Sequence, residues 1–255
     1  MELNKVYNEN CLIGMSRIAD KSIDLILADL PYGTTACKWD TIIPFKPLWE
    51  HYERIIKDNG AIVLTASQPF TSALVMSNPK LFKYEWIWKK DSAANFGVAK
   101  YRPLNICEAV LVFAKKPTVY NPQMWDSGRK SNKSGKFTKG DVYGANGFKK
   151  SYNDTTMKFP TNILEYSKPK HNDKYGTFHP TQKPVPLFEY LIKTYTNEGE
   201  TVLDNCMGSF TTAISAINTN RNYIGFEMDE TYFKIGSERV KKHMENKTDL
   251  FNIAI

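Results

Sequence analysis

At 255 residues, 42% hydrophobic and 24% charged, the chain is long enough to bury a full core as one large α/β domain or a domain with an insertion. Its formal charge of +7 is confined to one place: residues 116–178 hold twelve Lys/Arg against five Asp/Glu, and the remainder is balanced. Cys11, Cys37, Cys107 and Cys206 show no Cys-x-x-Cys spacing, and no apolar run approaches the ~18 residues of a membrane span, which argues against a disulfide scaffold, a zinc knuckle or a membrane protein and for a reduced cytoplasmic one.

In chain order, residues 3–7 read as a short strand and 11–18 as a helix with Leu12, Ile13, Met15 and Ile18 apolar. The run 23–30 is a buried strand. Helical spacing at Phe45, Leu48, Trp49, Tyr52, Ile55 and Ile56 predicts a helix over 45–57, ended by Asp58-Asn59-Gly60. A strand over 61–65, a helix over 69–76 and strands over 84–88 and 108–113 follow, and this alternation implies a parallel sheet with crossover helices. From 116 to 178 the periodicity dissolves into Gly, Ser, Asn, Lys and isolated aromatics, which reads as an irregular inserted lobe. Order returns with a helix over 185–195, a strand over 201–203, a helix to 217, a strand over 223–226 and a last helix capped by Asp229. Three parts result: 1–115, 116–178 and 179–255.

Two loops carry chemistry. Ala28-Asp29-Leu30-Pro31-Tyr32-Gly33 ends a β-rich run with a carboxylate, a proline and an aromatic, at the sheet edge where open α/β folds bind ligands. That set suits gripping the amine of a planar heterocycle and stacking on its ring. Asp204-Asn205-Cys206-Met207-Gly208-Ser209-Phe210-Thr211-Thr212 is a strand, a glycine loop and a helix start, as in nucleotide sites, and Glu227 closes the next strand where dinucleotide folds hold ribose hydroxyls. No complete phosphate-cradling motif is present, so the cofactor reads as a nucleoside with a non-phosphate tail.

Together with His179-Pro180-Thr181-Gln182-Lys183-Pro184, these loops resemble the signature motifs of the amino-group DNA methyltransferases that use S-adenosylmethionine, in the β arrangement with the catalytic tetrapeptide first. The resemblance implies an α/β, Rossmann-like, seven-stranded and mostly parallel methyltransferase sheet, circularly permuted so that the Asp29 and Asp204 strands are central neighbours, with an irregular inserted target-recognition lobe. It implies a catalytic Asp29-Leu30-Pro31-Tyr32. Around S-adenosylmethionine it implies Asp204, Asn205, Met207, Gly208, Ser209, Phe210 and Thr211, with Glu227 at the ribose, His179, Thr181, Gln182 and Lys183 bordering the cofactor, Asp29 beside it and Asn10 at its adenine. No metal is implied; His179 has no ligand partner one helical turn on.

The resemblance makes double-stranded DNA the partner, bound through the basic segment by Arg129, Lys130, Lys133, Lys136, Lys139, Lys149 and Lys150, with Asn132 and Asn146 as base readers. It leaves a homodimer and a cognate restriction endonuclease open. Asp29 and the Leu30 carbonyl would each accept a hydrogen bond from an adenine N6 amine and aim its lone pair for in-line transfer, with the base flipped onto Tyr32. Cytosine C5 chemistry needs a Pro-Cys nucleophile, and no cysteine here follows a proline. The alternatives are cytosine-N4 methylation and an inactive DNA-binding relative in which Phe210, where relatives usually carry glycine, crowds the cofactor.

Overall fold

The structure, a computed structural model, describes residues 1–34, 40–93, 96–129, 156–170, 177–179 and 181–253, with side chains described to 247. The chain divides into two compact units, 1–121 with 162–255 and 122–161. The second lies inside the interval 116–178; it holds the antiparallel pair β6 (Trp125–Asp126) and β7 (Met157–Lys158), which the numbering below leaves in place.

The first unit is built from β1 (Lys5–Tyr7), α1 (Cys11–Met15), β2 (Ile23–Asp29), α2 (Phe45–Ile55), β3 (Ile56–Ala66), α3 (Phe70–Ser77), β4 (Phe82–Lys89) and β5 (Cys107–Phe113). It resumes with β8 (Ile163–Glu165), α4 (Val185–Tyr195), β9 (Thr201–Asp204), α5 (Thr211–Asn218), β10 (Asn222–Phe226) and α6 (Glu230–Ile253). Its strands form one sheet in the order β1-β10-β9-β2-β3-β5-β4-β8. Strict period-two alternation divides the central strands between two cores. Leu25, Leu27, Val63, Val112 and Val202 pack with α4, α5 and α6, whereas Ile26, Ala28, Leu64, Leu111 and Leu203 pack with α1, α2 and α3. The result is helices on both faces of one sheet, a Rossmann-like architecture.

The expected adjacency of the Asp29 and Asp204 strands is present: β2 and β9 are parallel, with Leu25 opposite Val202 and Ile26 opposite Leu203. The buried Asp24 carboxylate helps set that register, because Oδ2 accepts from the Thr201 amide (2.9 Å) while Oδ1 accepts from Lys57 Nζ (2.6 Å).

Three expectations are corrected. The sheet has eight strands among the described residues rather than seven, since the short run 163–165 pairs in parallel with β4 and buries Leu164. β5 runs antiparallel to both neighbours: among the described residues of 90–106 there is a 3₁₀ turn at Phe96–Val98 and no crossover helix, and β5 returns alongside β4. Asp58-Asn59-Gly60 does not end α2. That helix stops at Ile55, where Arg54 donates to the carbonyls of Met15 (2.7 Å) and Ile18 (2.6 Å). The tripeptide instead lies in a bulge of β3, between the pairs Ile23–Ile56 and Leu25–Ala61.

Phe210 precedes α5 with a left-handed φ of 61°, a conformation that costs a non-glycine residue on the order of 1–2 kcal/mol. Its ring is 2% exposed and stands edge-on to Phe233 at 5.9 Å. Packing of this kind offsets the strain, and it needs Gly236: a methyl there would come within 2.3 Å of Phe210 Cδ1. Gly236→Ala is therefore expected to destabilise by about 1–3 kcal/mol despite its gain in helix propensity. Phe210→Leu in the same chain should recover part of that loss in a denaturant double-mutant cycle; strictly additive costs would contradict the contact.

Candidate active site

Because β2, β3, β9 and β10 are mutually parallel through their neighbours, their carboxyl ends open on one side of the sheet. There a cavity of about 1150 Å³ is lined by Asp29, Tyr32, Lys183, Asp204, Gly208 and Glu227, among others. The two loops singled out in the sequence thus meet in one space.

Asp29 is held from three directions. Tyr32 Oη donates to Oδ1 (2.8 Å), the Thr65 hydroxyl donates to the same oxygen, and Lys183 Nζ donates to Oδ2 (2.6 Å). Thr65 arrives there because it pairs directly with Asp29 across β2 and β3. The Tyr32 ring stacks on Phe70, 5.2 Å between centroids and 24° between planes. Burial first, and the neighbouring Asp29 charge second, hold the Tyr32 phenol well above its usual pKa, so it remains a donor.

Lys183, expected beside the cofactor, turns its ammonium to Asp29 and to Glu108 Oε2, 3.4 Å away. Glu108 also takes Lys90 on Oε1. Burial opposes both charges, but the Asp29 and Glu108 carboxylates outweigh it and raise Lys183, and the Lys183 and Lys90 ammoniums outweigh it and lower Glu108. The row Lys90, Glu108, Lys183, Asp29 alternates in sign.

On the other side of the cavity Gly208 takes φ 51°, and no atom lies within 4 Å of where a methyl would stand, so the backbone faces open space. Glu227 Oε2 accepts from the Gly208 amide (2.7 Å) and Oε1 from the Asp229 amide (2.8 Å). Burial, its largest influence, raises the Glu227 pKa. Ser209 donates to Gln182 Oε1 (3.0 Å), which also accepts from the Phe178 amide (3.0 Å). The His179 ring sits 4.2 Å from that of Tyr232. Its Nδ1 accepts from the Thr181 amide (3.2 Å), which puts the ring proton on Nε2, and burial lowers its pKa.

Other expected residues are engaged by the protein itself. Asn10 caps α1, its side-chain oxygen accepting from the Leu12 amide (2.9 Å), and still borders the cavity. Asn205 Oδ1 accepts from Tyr52 Oη. Met207 lines the cavity with its side chain against Gly225. Thr211 Oγ1 accepts from Arg239 Nη1 (3.2 Å). Phe210 is a correction: its ring is in the core against α6, where Gly236 leaves room, so it neither contacts nor crowds the cavity. Leu30 and Pro31 line the cavity beside Asp29. Arg129 is exposed in the second unit; Lys130, Lys133, Lys136, Lys139, Lys149, Lys150, Asn132 and Asn146 lie outside the described residues.

Four site residues escaped the sequence reading. Thr65 and Glu108 are polar residues near the ends of apolar strands and Lys90 follows β4 between two other charged residues, and that placement near strand ends was their only signal. Arg239, within the last helix, is buried and donates through Nη1 to the Ser209 carbonyl (2.6 Å), fixing the Gly208 loop. Among the described residues no group of three or more His, Cys, Asp or Glu is arranged to hold a metal, and no helix is long and apolar enough to cross a membrane.

The doubly wound sheet thus brings the Asp29 loop, the Gly208 loop and the Glu227 carboxylate together at its carboxyl edge. Residues 23–238 match the family model described as DNA methylase. The chain belongs to that family of amino-group DNA methyltransferases, whose methyl donor is S-adenosylmethionine. It is 28% identical over 251 residues to the type II methyltransferase M1.MboII of Moraxella bovis, covering 91% of this chain and 94% of that one. It is 30% identical over 253 residues to the DNA adenine methyltransferase YhdJ of Escherichia coli (strain K12), covering 94% and 83%. Among solved structures it is similar in fold to the PvuII cytosine-N4-specific DNA methyltransferase (TM-score 0.69, 17% identity, 92% and 85% covered). The M1.HpyAVI–SAM complex is a second neighbour (TM-score 0.63, 23% identity, 92% and 98% covered).

Burial pushes the Asp204 carboxyl up to about 7, although Thr212 and the Cys206 amide (2.9 Å) donate to it. A raised folded-state pKa means that protonation stabilises the fold. That contribution is complete below the unfolded value near 3.8 and is lost as pH rises through about 7. Asp204→Asn should therefore lose less stability between about pH 5 and about pH 8 than the unaltered protein, by on the order of 2 kcal/mol in urea unfolding. Equal losses would show that Asp204 titrates normally.

Proposed function

We propose that this protein is a site-specific DNA methyltransferase that methylates the exocyclic N6 amine of adenine in duplex DNA by direct in-line transfer, the base being flipped into the cavity. The observation that carries the reading is the state of Asp29. Its carboxylate accepts from a buried ammonium and from two hydroxyls, and opens on the same cavity as Gly208 and Glu227.

An exocyclic amine is a weak nucleophile because its lone pair is delocalised into the ring. Asp29 accepting one amine hydrogen, with the Leu30 carbonyl accepting the other, favours a pyramidal nitrogen whose lone pair can be aimed. The price of unstacking the base, a few kcal/mol, is offset by these bonds and by the Tyr32 ring.

S-adenosylmethionine, when bound, supplies the electrophilic sulfonium methyl. The chain's residues suit it: the open space at Gly208 admits a ligand close to backbone, and each Glu227 oxygen, already holding one amide, retains a lone pair for a ribose hydroxyl. Asn10, Ser209, Thr211, His179, Thr181 and Gln182 complete the proposed cofactor wall. The packing of Phe210 in the core removes the reason for an inactive relative.

Adenine is favoured over cytosine by the carboxylate at position 29 and by the similarity to the enzyme named as an adenine methyltransferase. The likeness to the cytosine-N4-specific enzyme is one of fold. The segment rich in lysine, with Arg129, is the proposed DNA-recognition element, its phosphate contacts giving salt-dependent affinity.

Asp29→Ala is expected to reduce methyl transfer by about a hundredfold or more while cofactor affinity, read by calorimetry, and DNA binding are retained. Turnover within a few fold of the unaltered protein would remove Asp29 from the mechanism.

A further inference from the structure

The group that answers Asp29 is itself informative. Lys183 is 6% exposed, donates to Asp29 Oδ2 at 2.6 Å and stands over the Tyr32 ring, 5.7 Å from its centroid. Those are the two contacts that the amine-transfer reading gives to the target base, a donated N–H on Asp29 and a position over Tyr32. The ammonium and the base therefore compete for the same place.

A second acceptor is within reach of the same ammonium. Glu108 Oε2 lies 3.4 Å from Lys183 Nζ, longer than a good charge-assisted bond of roughly 2.7–2.9 Å. That oxygen is buried and makes no hydrogen bond among the described residues, whereas Oε1 is taken by Lys90. An unfilled acceptor on a buried carboxylate gains from any donor that moves toward it. A shift of a few tenths of an ångström to about an ångström would complete the Glu108 bond and lengthen the one to Asp29, well within the freedom of a four-carbon side chain.

We propose that Lys183 is a positioning residue that occupies Asp29 until the target amine arrives and is then handed to Glu108, which acts as its parking site. The inference rests on the amine-transfer reading above and deepens it. In this transfer the buried ammonium keeps a carboxylate partner throughout, while Asp29 keeps the Tyr32 and Thr65 hydroxyls and gains the amine as donor. The two carboxylates also keep Lys183 protonated, so it remains a cation throughout. No bond is made or broken in the handover.

The test compares label transfer from methyl-tritiated S-adenosylmethionine to unmethylated bacterial DNA, with cofactor affinity measured by calorimetry and folding by thermal melts. Glu108→Gln removes the parking charge and leaves Lys183 on Asp29; kcat should fall about tenfold or more while cofactor Kd stays within about threefold. Adding Lys183→Met to that variant removes the competitor and should raise kcat severalfold above that of Glu108→Gln alone. Glu108→Asp keeps the buried charge, protecting the fold, but withdraws the acceptor by one methylene, and it should lower kcat in the same direction.

Full activity in Glu108→Gln and Glu108→Asp, or a double variant no more active than Glu108→Gln, would overturn the proposal. So would a large rise in cofactor Kd on Lys183→Met, which would assign Lys183 to the cofactor. No label with the unaltered protein would sink the amine-transfer reading and this inference with it, whereas label without rescue would sink this inference alone.

Discussion

The parallel pairing of β2 with β9 is the constraint on which the site depends. It is a short contact, and the buried Asp24 carboxylate reinforces it by tying the first amide of β9 to β2 and to Lys57 in β3. Side chains alternate along a strand, so a slip of one residue would turn Asp29 and Asp204 toward opposite layers. Held in register, the two strands end together and their loops share one cavity. Residues 175 positions apart in sequence then act at one place.

Within that cavity the chemistry divides by charge. On the Asp29 side, four side chains alternate in sign, and for Lys183 and Glu108 the attraction of their neighbours outweighs the effect of burial. On the Glu227 side, acids are buried with only backbone amides and hydroxyls for company, and their pKa values rise. The first arrangement surrounds the Asp29 carboxylate with donors. The second presents acceptors to hydroxyl groups without adding a strong negative field. A sulfonium methyl and a base amine approaching from the two sides would meet between them.

How much of this was legible in the sequence follows from what each residue depends on. Asp29, Asp204 and Glu227 end apolar runs, which put them at the carboxyl edge of strands, and the family resemblance implied the adjacency of β2 and β9. Direction was not legible: the apolar run of β5 reads the same whether parallel or reversed, and its reversal goes with the lack of a crossover helix among the described residues of 90–106. Thr65, Glu108 and Lys90 reach Asp29 or its partners through sheet neighbours distant in sequence, which no local spacing encodes. Lys183 stood in a recognised motif, yet the motif says nothing of which way its side chain turns. Phe210 looked like an obstruction because its partner, Gly236, lies a helix away.

The central claim is that the Asp29 loop methylates the amine of adenine in DNA. The most direct test is to incubate the purified protein with methyl-tritiated S-adenosylmethionine and unmethylated bacterial DNA, digest to nucleosides and locate the label. Label in N6-methyldeoxyadenosine is the expected result. Label in N4-methyldeoxycytidine would contradict the choice of base, and label in 5-methyldeoxycytidine, or in no nucleoside, would contradict the account.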